Sequence, residues 1–492
     1  MKRSIRKIVA AALVTFQVIL TAAVGFIPAS AEAGTGGRKR SYHAYKADAP
    51  ITLDGKVSEG EAWDNLPWSE DVVFYDANGQ GKVNQTFYAS FKSMWYKTED
   101  SAYLYFLVNY NDTDTTDNAN KRVYFGIDET GVSSATGISA VKWTDADVRR
   151  SEDEDVSFVL SKVGEIQTSN PQKQGNGYQV FRFCVQRTSG NPQVTIEVEY
   201  QFRKADNMSA GKKIGLEVQA GFAPWAYKAA WNVDKWFSSM AASEMGALYL
   251  ESDSASTRKT VTVQDKNMIV ASSDVTADGS FTLPTTDPHS KAQLVGWKDA
   301  EGKLYKPGTA VSGITKNMTF EAVTVDFKTL AGAQVRFKDP TGLRFLSQVK
   351  KADYDALGAA ATATGTLILP TDLLGTGELT LEALKDKTEG KDYLNVTNDG
   401  WLNAETAEAD GAYTFSGAIV GIKKGNYNRN FSAVGYLTVT YADGTTANFY
   451  GGYTAENATS IKTVAEKALA DAAANPDKYT EAEKAILESY TK

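Results

Sequence analysis

The chain has 492 residues, 42% hydrophobic and 23% charged, and a formal net charge of −8. That length suggests about three domains, and a net acidic surface argues against nucleic acid while remaining compatible with neutral polysaccharide or with cations. A single cysteine, Cys184, excludes an intrachain disulfide, and two histidines, His43 and His289, are too few for a histidine-rich metal site and make a histidine-based triad a poor expectation.

Positions 1–31 read as a secretory signal peptide. Lys2, Arg3, Arg6 and Lys7 form a basic start, Ile8 to Ile27 is largely apolar, and Ala29-Ser30-Ala31 fits a small-residue cleavage site. The other reading is an uncleaved anchor; Gln17 and Pro28 favour cleavage. Removing the four basic residues takes the formal charge from −8 to −12. No later stretch is long and apolar enough to span a bilayer, so the mature chain is expected to be secreted, free or attached at the cell surface. Residues 32–40 are a glycine-rich, basic linker.

Residues 41–252 are predicted to be one domain of short strands separated by turn signals such as Asp54-Gly55 and Asn78-Gly79. The run Tyr103 to Tyr110 is too aromatic and β-branched for a surface helix, and reads as a central strand. Alternation places Leu104, Phe106, Val108 and Tyr110 on one face, with Tyr103, Tyr105, Leu107 and Asn109 on the other, so both faces can be covered. The acidic loop NDTDTTDN follows, then a strand from Arg122 to Asp128. Cys184 lies in the strand-like run YQVFRFCVQ and reads as a small apolar residue. Val194, Ile196, Val198, Tyr200 and Phe202 alternate with polar residues, as do Ile214, Leu216, Val218, Ala220 and Phe222. An antiparallel, jelly-roll-like β-sandwich is expected.

Five segments carry a resemblance: ITLDGKVSEGEAW (Ile51 to Trp63), MWYKTEDSAYLYFLVNYND (Met94 to Asp112), the strand ending FGID at Asp128, KKIGLEVQ (Lys212 to Gln219) and GALYL (Gly246 to Leu250). In order and approximate spacing they resemble the family 9 carbohydrate-binding module. The resemblance implies a β-sandwich that binds sugar chain ends, carries structural calcium and often accompanies glycoside hydrolases. It also implies a sugar held between two tryptophans. The later one matches Trp231, with Trp236 as the neighbouring option. At the place of the earlier one this chain has Asp117 to Lys121 and no tryptophan, and Tyr124 stands where the family keeps an acidic residue. Sugar binding needs flat aromatic faces and a few fixed polar groups. Trp225, Tyr227, Trp231 and Trp236 make an aromatic-dense segment, with Tyr124 or Trp143 as the opposite wall. The alternative is that these rings plug the ends of the sandwich. Asp112, Asp114 and Asp117 supply hard oxygen ligands within a short loop and are candidates for calcium, against the alternative of a solvated hairpin loop.

Residues 253–327 resemble the Listeria–Bacteroides repeat, a small β-grasp repeat of cell-surface proteins, through Thr282-Leu283-Pro284, Gly296-Trp297, Gly302-Lys303-Leu304-Tyr305, Pro307-Gly308 and Asn317-Met318-Thr319. Trp297 and Tyr305 are expected in the core of so small a unit. Residues 328–492 form a β-rich body with a helical tail. Asp443-Gly444 reads as a tight hairpin, Ile461, Val464, Ala465, Ala468 and Leu469 fall at helical spacing, and Thr480 with Glu483 reads as a capping box.

The sequence holds no GxSxG elbow, no HExxH and no phosphate-cradling glycine loop. Glycoside hydrolysis needs two facing carboxylates, but the run Ser151 to Asp155 has the look of a solvated loop or a cation site. The expectation is a secreted, non-catalytic protein that binds plant or cell-wall polysaccharide such as xylan, with the cell wall or a glycoside-hydrolase complex as partner. A cell-surface adhesion or structural protein with a degenerate sugar site is the alternative, and a glycoside-hydrolase accessory or xylanase-type component the third choice.

Overall fold

The structure, a computed structural model, describes residues 38–53, 57, 60–76, 87–112, 122–129, 142–147, 181–187, 193–202, 205–222, 227–235, 242–275, 278–375, 377–453 and 455–492. The expected signal peptide lies outside them. No helix among the described residues is long and apolar enough to cross a membrane. The chain divides into two compact units, one of residues 1–262, 271–282 and 310–317 and one of 263–270, 283–309 and 318–492.

The first unit is built on β1 (Ser41–Lys46), β2 (Val73–Asp76), β3 (Phe87–Lys97), β4 (Ala102–Asp112), β5 (Arg122–Asp128), β6 (Lys142–Asp147), β7 (Phe181–Arg187), β8 (Gln193–Gln201), β9 (Lys213–Phe222), β10 (Tyr227–Ala230) and β11 (Gly246–Ser254). They join in the order β2-β10-β9-β11-β1-β3-β4-β8-β7, with β5 on the other edge of β9 and β6 beyond it. All these pairs are antiparallel except β1 with β11 and with β3. The sheet folds back on itself. Leu104, Phe106 and Val108 of β4 and Ile196, Val198 and Tyr200 of β8 face Val123, Phe125 and Ile127 of β5 and Ile214, Leu216 and Val218 of β9 across one apolar core. The Phe106 and Phe125 rings meet at 5.2 Å.

The other face of β4 is also covered: Tyr105 and Leu107 pack with Trp63, Leu66 and Met94 in a second cluster. On that side the polar residues of the alternating strands are interior too, namely Lys92, Asn109, Glu197 and Glu199. Cys184 lies on β7, its side chain outside the described residues. His43 sits on β1, its Nδ1 2.6 Å from Glu251 Oε1.

Beyond the sandwich come β12 (Thr260–Asp265), β13 (Met268–Asp274), β14 (Phe281–Thr282), β15 (Gln293–Lys298), β16 (Leu304–Tyr305), β17 (Ala310–Val311) and β18 (Met318–Val325). In the first unit β14 pairs with β17; in the second β15 pairs with β16 and β18, all antiparallel. Trp297 is fully interior, its indole N–H donating to the Pro284 carbonyl at 2.7 Å.

The rest of the second unit has β19 (Phe327–Thr329), β20 (Gln334–Arg336), β21 (Gly342–Lys350), β22 (Ala361–Pro370), β23 (Leu394–Thr397), β24 (Ala412–Val420), β25 (Phe431–Thr440) and β26 (Thr446–Tyr450). One sheet runs β19-β21-β20 with β24 on the other edge of β21, and a second runs β23-β22-β25-β26. Leu343, Phe345, Ile368 and Ala433 meet Ile461, Ala465, Leu487 and Tyr490 of the tail helices Ile461–Ala474 and Glu481–Thr491. The expected capping box is present: Thr480 accepts from the Glu483 N–H and Glu483 accepts from the Thr480 N–H. Gly444, with φ of +80°, completes the expected hairpin turn.

Candidate functional site

The segment expected to carry the ligand begins at β10, which lies between β2 and β9. Residues two apart on a strand share a face. Ala229 is packed into the core, and Trp231, two positions on, follows it there. The Trp231 ring is 1% exposed and stands edge-on to Phe91 at 5.2 Å. Its backbone N–H donates to the Val218 carbonyl at 2.8 Å, continuing the pairing of β9. A Cβ placed on Gly246 would come within 2.4 Å of the indole, so the ring is fitted against bare backbone. Trp231, expected as a stacking platform, is therefore a core residue; strand alternation overrides the loop reading.

Tyr124 lies on the opposite face of β5 from Val123, Phe125 and Ile127, directly across from Gln219 of β9. It is 8% exposed, too little to present an open ring face. Trp143 is on β6, across from Gly126, with its side chain outside the described residues. Trp225, Trp236, Asp114 and Asp117 lie outside them altogether, and Asp112 ends β4 with only its backbone described. No cluster of three or more potential metal ligands occurs among the described residues.

What the structure brings together here is a set of polar side chains that the sequence reading left on the solvent face. Glu217 and Gln219 share the outer face of β9 with Tyr124 of β5, and both are fully buried. They are covered by the turn that follows Trp231. The Glu217 carboxylate accepts the N–H of Asn232 at 2.9 Å and of Val233 at 3.1 Å. Gln219 Nε2 donates to the Lys235 carbonyl at 2.7 Å, while its Oε1 is buried without a partner among the described residues. Asn232 Nδ2 donates to the Glu244 carbonyl at 2.7 Å, and Asn232 Oδ1 accepts the Arg40 N–H at 2.7 Å. Arg40 closes the set, its guanidinium donating to the Trp231 carbonyl at 2.6 Å and pairing with Glu70 at 2.7 Å. The turn 231–235 is thus held at several backbone and side-chain points by residues from β9 and from the approach to β1.

Electrostatics sorts structure from chemistry at this spot. Burial pushes the Glu217 carboxyl up to about 8, against the lowering effect of the backbone donors of Asn232 and Val233, of Arg38 and of the Trp231 backbone. A raised carboxyl is what a general acid needs. Here both oxygens are occupied by backbone amides and none is open to solvent, so the proton cannot reach a substrate oxygen. Glu217 is a clamp for the turn.

A second buried titratable side chain, Lys92, lies on β3. Lys92 Nζ donates to the Trp63 carbonyl at 2.7 Å and stands 4.7 Å over the Trp68 ring. Burial pulls the amine down to about 8.

No family model matches the chain, and no curated protein matches it. Among solved structures it is similar to a carbohydrate-binding module of family 9 from Caldicellulosiruptor kristjanssonii in complex with cellotriose, at 15% identity and a TM-score of 0.28, over 43% of this chain and 94% of that one. It is similar also to a module of that family from the same organism in complex with glucose, again at 15% identity and a TM-score of 0.28, over 43% of this chain and 96% of that one. The glutamate and glutamine of β9 were missed in the sequence because their partners lie in a turn 15 or 16 residues downstream. The only local signal was a polar pair in a strand followed by a run rich in free backbone donors.

Proposed function

We propose that the chain is a secreted, non-catalytic carbohydrate-binding protein, and that its first unit recognises plant or cell-wall polysaccharide at the outer end of β9 and β10. The observation that supports this is the clamped turn 231–235. Hydrogen bonds from Glu217, Gln219 and Arg40 hold it on a buried polar floor, and the next residue in the chain is Trp236. A rigid stem is what an aromatic platform requires, because a stacked sugar gains little if the ring must first be ordered. Trp236 takes the role that Trp231 cannot fill, with Trp225 and Trp143 as further aromatic surface. Calcium held by Asp112, Asp114 and Asp117 at the end of β4 would brace the neighbouring loop; chelation by EDTA is then expected to lower the melting temperature.

The test is affinity electrophoresis of the full chain across a panel of neutral polysaccharides including xylan and cellulose derivatives. Trp236→Ala is expected to abolish retardation with an unchanged melting temperature. Retardation that survives Trp236→Ala, or none on any glycan, would overturn the reading. The interior position of Trp231 removes one ring from the ligand surface and favours the adhesion or structural reading as the second choice, which predicts binding to a protein partner and none to glycans.

A further inference from the structure

The second unit carries a cleft of about 610 Å³ on the face shared by β20, β21 and β24, within the size range of small-ligand sites. Three cations line it, Arg336, Lys338 and Arg344, and no acidic residue does. Arg336 and Arg344 differ from the other arginines whose side chains are described. Arg38, Arg40, Arg258 and Arg429 each pair with a carboxylate. Among the described residues neither Arg336 nor Arg344 has an ion pair, and Asp339 in the intervening turn pairs with neither.

The two guanidinium groups are also oriented. Arg336 Nη1 donates to the carbonyls of Lys338 and Pro340, and its Nε–Nη2 edge has no acceptor among the described residues. Arg344 Nη2 donates to Gln334 Oε1 at 2.7 Å, and Arg344 Nε is buried with no hydrogen-bond partner among the described residues. A buried N–H without an acceptor is costly. Burial, and after it the charge of Arg336, lowers the Arg344 proton affinity. Convergent like charges with unused planar forks are what a carboxylate relieves.

Apart from Ser416, the rest of the cleft lining is apolar. Four large hydrophobic residues are exposed among the described ones, Val57, Leu402, Val420 and Tyr453, and two of these, Leu402 at 55% and Val420 at 41%, line this cleft together with Phe337. An anionic group flanked by exposed apolar surface fits a ring that has C–H faces and a carboxylate.

We propose that this cleft is a second saccharide site, one that takes a uronic-acid residue of an acidic glycan, with the carboxylate on Arg336 and Arg344 and the ring against Leu402 and Val420. The choice of a sugar as the carrier of the carboxylate rests on the carbohydrate-binding reading of the chain; the cationic, apolar cleft does not.

The test is calorimetric titration of the full chain with a short oligogalacturonate, because the net charge of −8 repels long polyanions. The oligouronate is expected to bind, its carboxyl-reduced counterpart and inorganic phosphate to bind at least about tenfold more weakly. The double variant R336Q/R344Q is expected to lose at least about tenfold in affinity, and Arg344→Lys, which keeps the charge but not the fork, to lose part of it. Absence of oligouronate binding, equal binding of phosphate, or unchanged affinity in Arg344→Lys and in the double variant would each overturn the proposal. If the double variant fails to fold, the Arg344→Lys result decides. Retention on neutral polysaccharide reports the first unit separately: a chain that keeps it but ignores oligouronate sinks only the second site, and the reverse outcome sinks only the first.

Discussion

A carboxyl whose pKa has been pushed up to about 8 keeps its proton over most of the neutral range, and this makes Glu217 a measurable residue. Unfolded, it titrates near the ordinary value of 4.5. Between those two values the folded chain holds a proton that the unfolded chain has lost, so this contribution to stability is full below pH 4.5 and falls as pH rises towards 8. In thermal melts, wild type is expected to lose stability relative to Glu217→Gln between about pH 5 and pH 8; parallel melting temperatures over that window would contradict the burial of the carboxyl. Lys92 has the opposite sign. Its amine is depressed from 10.5 to about 8, so its contribution is present above pH 10.5 and lost as pH falls to 8. Trp231→Ala is expected to cost about 3–5 kcal/mol, as for other buried aromatic truncations, and to be read as loss of fold. Gly246→Ala, which drives a methyl into the same indole, should cost about 1–3 kcal/mol by overpacking. Denaturant titration measures both.

At the level of elements, the tail helix Glu481–Thr491 offers the simplest check on local structure. Thr480→Ala removes one half of a reciprocal cap and should cost about 1 kcal/mol, seen as a shift of the second unit's transition; no shift would mean that Leu487 and Tyr490 hold the helix without its cap. That cap was legible because it is written in four consecutive positions. The strand from Arg122 to Asp128 was legible for a similar reason, with its three core side chains at period two. The two-faced burial of β4 could be read from a run that is apolar on both parities. What could not be read was the fate of the polar parity of β8 and β9. Thr195, Glu197 and Glu199 alternate like a solvated face, and so do Glu217 and Gln219, yet glutamates on both strands are interior. Whether such a face meets water or another stretch of chain is decided by long-range pairing, such as Glu217 with Asn232, and no periodicity records it. Trp231 failed as a ligand residue for the opposite reason. Its parity with Ala229 was available, but the density of aromatic residues around it outweighed the alternation.

For the whole molecule, charge separates the two sites that the chain is proposed to carry. A neutral polysaccharide stacked on Trp236 presents no charge, so raising salt from about 0.1 M to about 1 M, which shortens the screening length from about 10 Å to about 3 Å, removes nothing from its binding. Retardation on neutral glycan is therefore expected to change by less than about twofold over that range. The oligouronate makes its contact through two guanidinium groups at a partly open cleft, and its affinity should fall clearly over the same range, because exposed ion contacts are screened while apolar contacts are not. Should neutral-glycan retention collapse with salt, the ligand is being held by charge rather than by an aromatic face, and the stem formed by Glu217 and Asn232 would have to support something other than a sugar platform.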